Sequence, residues 1–274
     1  MTLRKNIILI CLILMYSCTT QLVLDSKENQ IINVLANPDS IINSIIYPYK
    51  IGIDSVMNEV LCVSEIEMKK GKPESLLGNF VTDLCMKEYN DKADICILNN
   101  GGLRTSIPKG NITRRKIYEL MPFENELVIL ELNVQEIFDL INYVYSREGE
   151  PFSGLNIFSK DSCMLLSNRY ILYRKGGNIV INEPLWVSSG GVEEEIYIPL
   201  NNKETYKIRV LTSDYLANGG DKMSFFNNKE QLKVGKKLRD VIIKYCKSEK
   251  IISSKLDNRI SIIKKYNVLL KSNE

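Results

Sequence analysis

Apolar positions along the chain recur with two periods, and the switches between them outline the elements. Ser75 to Tyr89 carries apolar residues at helical spacing and opens on Ser75, whose hydroxyl can cap free N–H groups, so a helix is predicted there. Glu126 to Glu131 (Glu-Leu-Val-Ile-Leu-Glu) is a short apolar run that predicts a strand. Asn133 and Glu136 then make a capping box, with apolar or aromatic residues at 134, 137, 138, 141 and 145 on one helical face. Strands are also predicted at Glu59 to Ser64, at Ala93 to Leu98 and near 155–159, 162–174 and 206–211. A first helix is expected between Asp39 and Asn58, and a last one over about 235–248, where Leu238, Val241, Ile242 and Tyr245 follow i, i+3, i+4, i+7. The order predicts one α+β (mixed α/β) domain over residues 39–266, with a mixed sheet and flanking helices. Arg147 to Lys160, with Gly149, Pro151 and Gly154, is too short for a domain boundary.

The first residues follow a different logic. Arg4 and Lys5 precede an apolar run from Ile7 to Leu14, too short to span a bilayer, which is the form of an export signal over residues 1–17. The run ends in Met15-Tyr16-Ser17-Cys18, which resembles the lipobox of a bacterial lipoprotein. That resemblance implies cleavage before Cys18, lipidation of Cys18 and a chain anchored in the bacterial cell envelope, with residues 18–38 as a polar tether. An exported soluble chain with an incidental Cys18 is the alternative.

Composition removes whole classes of chemistry. The 274 residues hold 36 Lys+Arg and 33 Asp+Glu, and losing Arg4 and Lys5 with the leader would bring the net charge from +3 to near +1. That balance supplies no electrostatic reason to expect nucleic acid as a partner. There is no histidine, which excludes Ser-His-Asp and Cys-His catalysis and His-liganded di-metal sites within this chain. Beyond Cys11 and Cys18, the cysteines at 62, 85, 96, 163 and 246 are odd in number and contain no CxxC, so buried thiols are expected for most of them, with one disulfide left open.

Three loop segments concentrate groups that can hold a ligand. Asn99-Asn100-Gly101-Gly102-Leu103-Arg104 follows a strand, and its glycines permit close approach while Arg104 offers a planar donor fork for phosphate or carboxylate. Met121 to Glu126 places Phe123, able to stack on a flat ring, beside Asn125, able to bond its edge. Thr212 to Asp221 adds a second aromatic, Tyr215, and a carboxylate, Asp221, around Gly219-Gly220. Taken singly, each also reads as an ordinary turn: a solvated arginine, a core phenylalanine, a helix C-cap.

Together, in this order, the segments resemble the C-terminal domain of the 5′-nucleotidase family. The likeness starts at Glu74-Ser75-Leu76-Leu77-Gly78-Asn79 and Asp83, runs through Asp94, Asn99 to Arg104, Ile112-Thr113 and Pro122-Phe123, and ends at Tyr206 to Asp221. The resemblance implies that the domain binds a nucleoside 5′-monophosphate. Phe123 and Tyr215 would stack on the base, Asn125 and Asp221 would hold base or ribose with Gly154 in the substrate site, and Asn99 and Arg104 would face the phosphate and reacting centre. Tyr215 stands where the family usually has Phe, and Asn100 where it usually has Gly, so a left-handed Asn100 is expected. Lys70 and Lys72, and no arginine, stand where a further family arginine is common.

Family members normally carry a metallophosphoesterase domain holding two metals through Asp, His and Asn. This chain has no histidine for it, so no cofactor is expected here, and two divalent metals are expected in a separately encoded partner. The resemblance thus implies the substrate-binding half of a split, lipid-anchored nucleotidase acting in nucleotide catabolism. The alternatives are a non-catalytic nucleoside- or nucleotide-binding surface lipoprotein and a scaffold that keeps the fold alone.

Overall fold

The computed structural model describes residues 39–159 and 206–260, with the strands 162–165, 170–175, 178–183 and 194–198 between them. The expected leader, Cys18 and the tether lie outside the described residues, as does the side chain of Cys163. The chain divides into a unit through Tyr47 and a unit from Pro48 onward. Helix α1 (Ser40–Met57) runs across that point, close to its expected bounds. In the first unit it is started by Asp39, whose Oδ1 accepts from the N–H groups of Ile41 and Ile42 at 2.8 and 3.1 Å.

The second unit is built on a five-stranded sheet of order β12-β4-β11-β2-β5, where β2 is Ile95–Ile97, β4 Glu126–Asn133, β5 Phe152–Ser153, β11 Lys207–Ser213 and β12 Leu232–Lys237. β4 is buried on both faces, which is why its sequence is an apolar run and not an alternation. Leu127 and Ile129 join the core formed with helices α2 (Leu76–Glu88) and α6 (Leu238–Glu249), while Val128, Leu130 and Leu132 join the core of α4 (Val134–Ser146). The capping box read at Asn133 and Glu136 is present in both directions, at 3.0 and 2.8 Å, and Ser75 caps α2 through Gly78 N–H.

A small sheet, β13-β1-β3, joins Val60–Ser64 (β1) to Gly110–Thr113 (β3) and Ile251–Ile252 (β13), and helix α3 (Arg114–Leu120) follows β3. A third sheet is an antiparallel meander of Leu155–Ser159 (β6), Ser162–Leu165 (β7), Tyr170–Lys175 (β8), Asn178–Glu183 (β9) and Glu194–Ile198 (β10). Here the stretch expected as strand over 162–174 is two strands paired antiparallel, Ser162 opposite Tyr173 and Leu165 opposite Tyr170. The last helix begins at Leu238, not 235, because the residues before it pair with β4 as β12, across a register shift that contains the left-handed Gly235.

The Glu74-to-Asp83 segment serves the fold. Asn79 Nδ2 donates to Glu74 Oε1 at 2.6 Å and to the Lys255 carbonyl at 2.9 Å, and Glu74 Oε1 accepts from Asp257 N–H at 2.9 Å. Arg259, its side chain 7% exposed, donates to both oxygens of Asp83 at 2.8 and 3.0 Å, to both of Asp257, and to the Phe152 carbonyl at 2.8 Å. The motif therefore fastens residues 255–259 across the start of α2 and β5.

Candidate functional site

β11 runs parallel to β2, Leu211 beside Cys96, and antiparallel to β4, Ser213 opposite Leu127. The exits of β2 and β11 and the start of β4 thus share one edge of the sheet, and the three segments singled out in the sequence emerge there side by side. They enclose a cavity of about 290 Å3 lined by Asn99, Gly101, Gly102, Arg104, Phe123, Asn125, Tyr215 and Asp221. Gly154 is not among the lining residues. It sits at φ +82° between β5 and β6, where a Cβ would lie 2.2 Å from the Asp94 carbonyl, so its place is explained by strand approach.

The aromatic rings remain available: Phe123 is 44% and Tyr215 46% exposed, and both line the cavity. Arg104 has its guanidinium carbon 5.9 Å from the Phe123 ring centre and donates to the Gly101 carbonyl at 3.2 Å. Asn99 is buried and donates from Nδ2 to Asp221 Oδ2 at 2.6 Å. Gly102 makes that possible, since a Cβ there would stand 2.7 Å from Asn99 Oδ1. Asp221 is itself left-handed at φ 52°, ψ 27°, a conformation that costs a non-glycine residue on the order of 1 kcal/mol.

Residues that do not line the cavity hold the three segments in place, and most of these ties were not legible in the sequence. Buried Glu150 accepts from Asn100 N–H at 2.7 Å and from Arg147 Nε at 3.1 Å. This tie, with Asn100 Nδ2 donating to the Gly149 carbonyl, shapes the turn, and Asn100 is not left-handed as its replacement of a glycine suggested. Arg239 of α6 donates to the Met121 and Pro122 carbonyls at 3.4 Å and pairs with Glu124, which also pairs with Lys237. Those two cations hold the Glu124 carboxyl down to about 2, and Phe123 is seated between the anchored neighbours. Asp214 opens the short helix α5 (Asp214–Ala217), and its Oδ1 accepts from the N–H groups of Glu126 at 3.1 Å and Tyr215 at 2.8 Å. Tyr143 of α4 donates to the Asp221 carbonyl at 3.1 Å, and burial followed by the Glu150 charge pushes its hydroxyl up to about 12. Lys70 Nζ donates to the Leu103 carbonyl at 3.2 Å, next to Arg104, and Lys72 donates to the Arg147 carbonyl.

A larger groove of about 520 Å3 lies at the other end of β4 and β11, but its Arg209 and Lys229 are committed to Asp94 and Glu136, and it has no aromatic residue. Among the described residues no cluster of three or more Cys, Asp or Glu could hold a metal ion, so these residues do not fit a di-metal centre. Cys62, Cys85, Cys96 and Cys246 are buried free thiols in the core, away from the cavity lining. No helix among the described residues is long and apolar enough to cross a membrane.

The sequence profile of the "5′-nucleotidase, C-terminal domain" matches residues 56–228. An apyrase of Tabanus yao is 29% identical over 221 residues, covering 75% of this chain and 38% of that protein. A 5′-nucleotidase of Vibrio cholerae is 38% identical over 75 residues, 26% of this chain and 14% of its own length. Among solved structures, the 5′-nucleotidase precursor of Thermus thermophilus matches with TM-score 0.56 and 25% identity over 80% of this chain and 42% of that one. The NAD nucleotidase of Haemophilus influenzae shares the fold, with TM-score 0.52 and 17% identity over 81% of this chain and 41% of that one. The chain thus spans about two fifths of the length of that apyrase and of these two solved structures. With the profile match covering more than half of its residues and the three segments meeting at one sheet edge, the chain belongs to the 5′-nucleotidase C-terminal domain family.

Proposed function

We propose that this chain is the substrate-binding half of a split 5′-nucleotidase, taking nucleoside 5′-monophosphates for hydrolysis to nucleoside and phosphate by a separate metallophosphoesterase chain. The family supports the nucleotide-binding role. The observation that carries the finer reading is the cavity itself: two half-exposed aromatics, an amide, a carboxylate and an arginine converge on one opening. In this reading Phe123 and Tyr215 take the two faces of the base, a use of ring surface that tolerates Tyr in place of Phe. Asn125 bonds the base edge, Asp221 accepts from ribose hydroxyls, and Arg104 with Asn99 faces the phosphate.

The metals belong to the partner in this reading, because this chain has no histidine and its described residues offer no donor cluster. The partner would supply the metal-bound centre, and this chain binds and orients the nucleotide. Lipidation at Cys18 would hold the assembly at the cell envelope.

The test is phosphate release from AMP by this chain, by a candidate metallophosphoesterase chain, and by the mixture. Release by the mixture alone, lowered at least tenfold by Arg104→Ala, is the expected result. Adenosine binding without partner-dependent release would favour a nucleoside-binding lipoprotein, and no binding in either setting would leave only the fold.

A further inference from the structure

Asp221 is held at every polar atom. Its N–H donates to the Tyr215 hydroxyl oxygen at 3.3 Å, and its carbonyl accepts from the Tyr143 hydroxyl at 3.1 Å. Its Oδ1 accepts from the Tyr215 hydroxyl at 3.0 Å, and its Oδ2 accepts from Asn99 Nδ2 at 2.6 Å. These contacts hold the residue in a left-handed conformation that an Asp left free would seldom occupy. Gly220 completes the arrangement, because a Cβ there would come within 2.6 Å of the Tyr215 ring atoms Cε1 and Cζ.

We propose that the hydroxyls of Tyr215, on the carboxylate, and of Tyr143, on the backbone carbonyl, are positioning groups that hold Asp221 ready for the two hydroxyls of a ribose, and so set the preference for ribonucleosides over 2′-deoxyribonucleosides. The inference rests on the nucleotide-binding reading of the same cavity. A carboxylate oxygen has two lone-pair sites, and each oxygen of Asp221 has one occupied by the protein, which leaves one acceptor on each. Two acceptors fixed on one carboxylate match the two hydroxyl donors of a vicinal diol. A deoxyribose fills only one, and the other is left without its partner. The match depends on a carboxylate that does not turn, since an acceptor free to rotate must be ordered again on binding. Tyr215 thereby serves twice: its ring offers the stacking face, and its hydroxyl, which a phenylalanine would lack, fixes the acid. The raised hydroxyl of Tyr143 stays protonated at neutral pH and remains a donor.

The experiment is calorimetric titration of the full chain with adenosine and with 2′-deoxyadenosine, in the natural protein, Tyr215→Phe and Tyr143→Phe. The natural protein is expected to favour adenosine about tenfold, the worth of one lost hydrogen bond. Tyr215→Phe keeps a stacking ring and is expected to reduce that ratio to twofold or less, chiefly through weaker adenosine binding. Tyr143→Phe moves the ratio in the same direction by a smaller factor and keeps the test available should Tyr215→Phe fold poorly. A ratio unchanged in a folded variant of either tyrosine overturns the inference while leaving nucleoside binding intact. Failure of the natural protein to bind either ligand, alone or with its partner, overturns the nucleotide reading and this inference with it.

Discussion

The carboxylate of Asp214 accepts the backbone N–H of Glu126, a residue 88 positions earlier, with the same oxygen that accepts Tyr215 N–H. One atom therefore fixes the Phe123–Asn125 turn relative to the Tyr215 helix, although Asp214 does not line the cavity. Asp214→Ala is expected to weaken adenosine binding about tenfold, near 1.4 kcal/mol, with secondary structure retained. Titration calorimetry beside far-ultraviolet circular dichroism checks this. Full affinity in the variant would mean that the two aromatics do not depend on this tie.

Gly220→Ala tests the same geometry from the backbone side. The added methyl would meet the Tyr215 carbonyl at 2.5 Å and its ring at 2.6 Å, so both the backbone of the turn and the ring must shift. Nucleoside binding is expected to fall at least tenfold, while the thermal midpoint moves by only a few degrees, since Gly220 lies outside both hydrophobic cores. A large loss of stability with binding preserved would contradict this account.

The contrast between Asn133 and Asp214 shows what local sequence can report. Asn133 and Glu136 are three residues apart and their mutual cap is visible in the sequence alone. Phe123, Arg104 and Tyr215 were also legible, because aromatic and arginine side chains in Gly/Asn-rich turns are conspicuous, and the observed strand order gathers them at one edge. Asp214, Glu150 and Arg239 were not, because their partners stand 88, 50 and 115 residues away and each taken alone is an ordinary surface residue type. β12 was missed for a similar reason: Leu-Lys-Val-Gly-Lys-Lys is weak in strand pattern, and its pairing with β4 decides its conformation.

Acid should loosen the Phe123 loop late. The folded carboxyl of Glu124 titrates at about 2, below the ordinary glutamate value of roughly 4.3, because Lys237 and Arg239 favour its charged form. A depressed folded value stabilises the protein above the unfolded value, and that contribution is lost as pH falls from about 4 toward 2. Asp257, lowered chiefly by its hydrogen bonds to Arg259, and Glu59, lowered by Lys247 and then Arg114, act with the same sign. Urea midpoints measured from about pH 5 down to 2 should fall in the natural protein and fall less steeply in Glu124→Gln. Parallel curves for the two would remove Glu124 from the account.

Arg259→Ala should be the costly change far from the cavity. It removes a buried guanidinium from Asp83, Asp257 and the Phe152 carbonyl, and the partly exposed acids recover some solvation, so a loss of about 2 kcal/mol is expected. Arg259→Lys should recover less than half, because a point charge cannot serve both carboxylates in the same plane. Chemical denaturation measures both, and a loss below about 0.5 kcal/mol in Arg259→Ala would deny the clamp its structural role.

The pairing of Arg259 with Asp83 also orders events in time. Its partners are 176 residues apart, and β1 lies between β3 and a strand, β13, that is made nearly two hundred residues after it. While the ribosome is still adding the middle of the chain, α2 has neither its guanidinium nor the segment that Asn79 and Glu74 hold. The complete clamp can therefore form only once synthesis has passed residue 259, so the domain closes on the end of the chain that is made last.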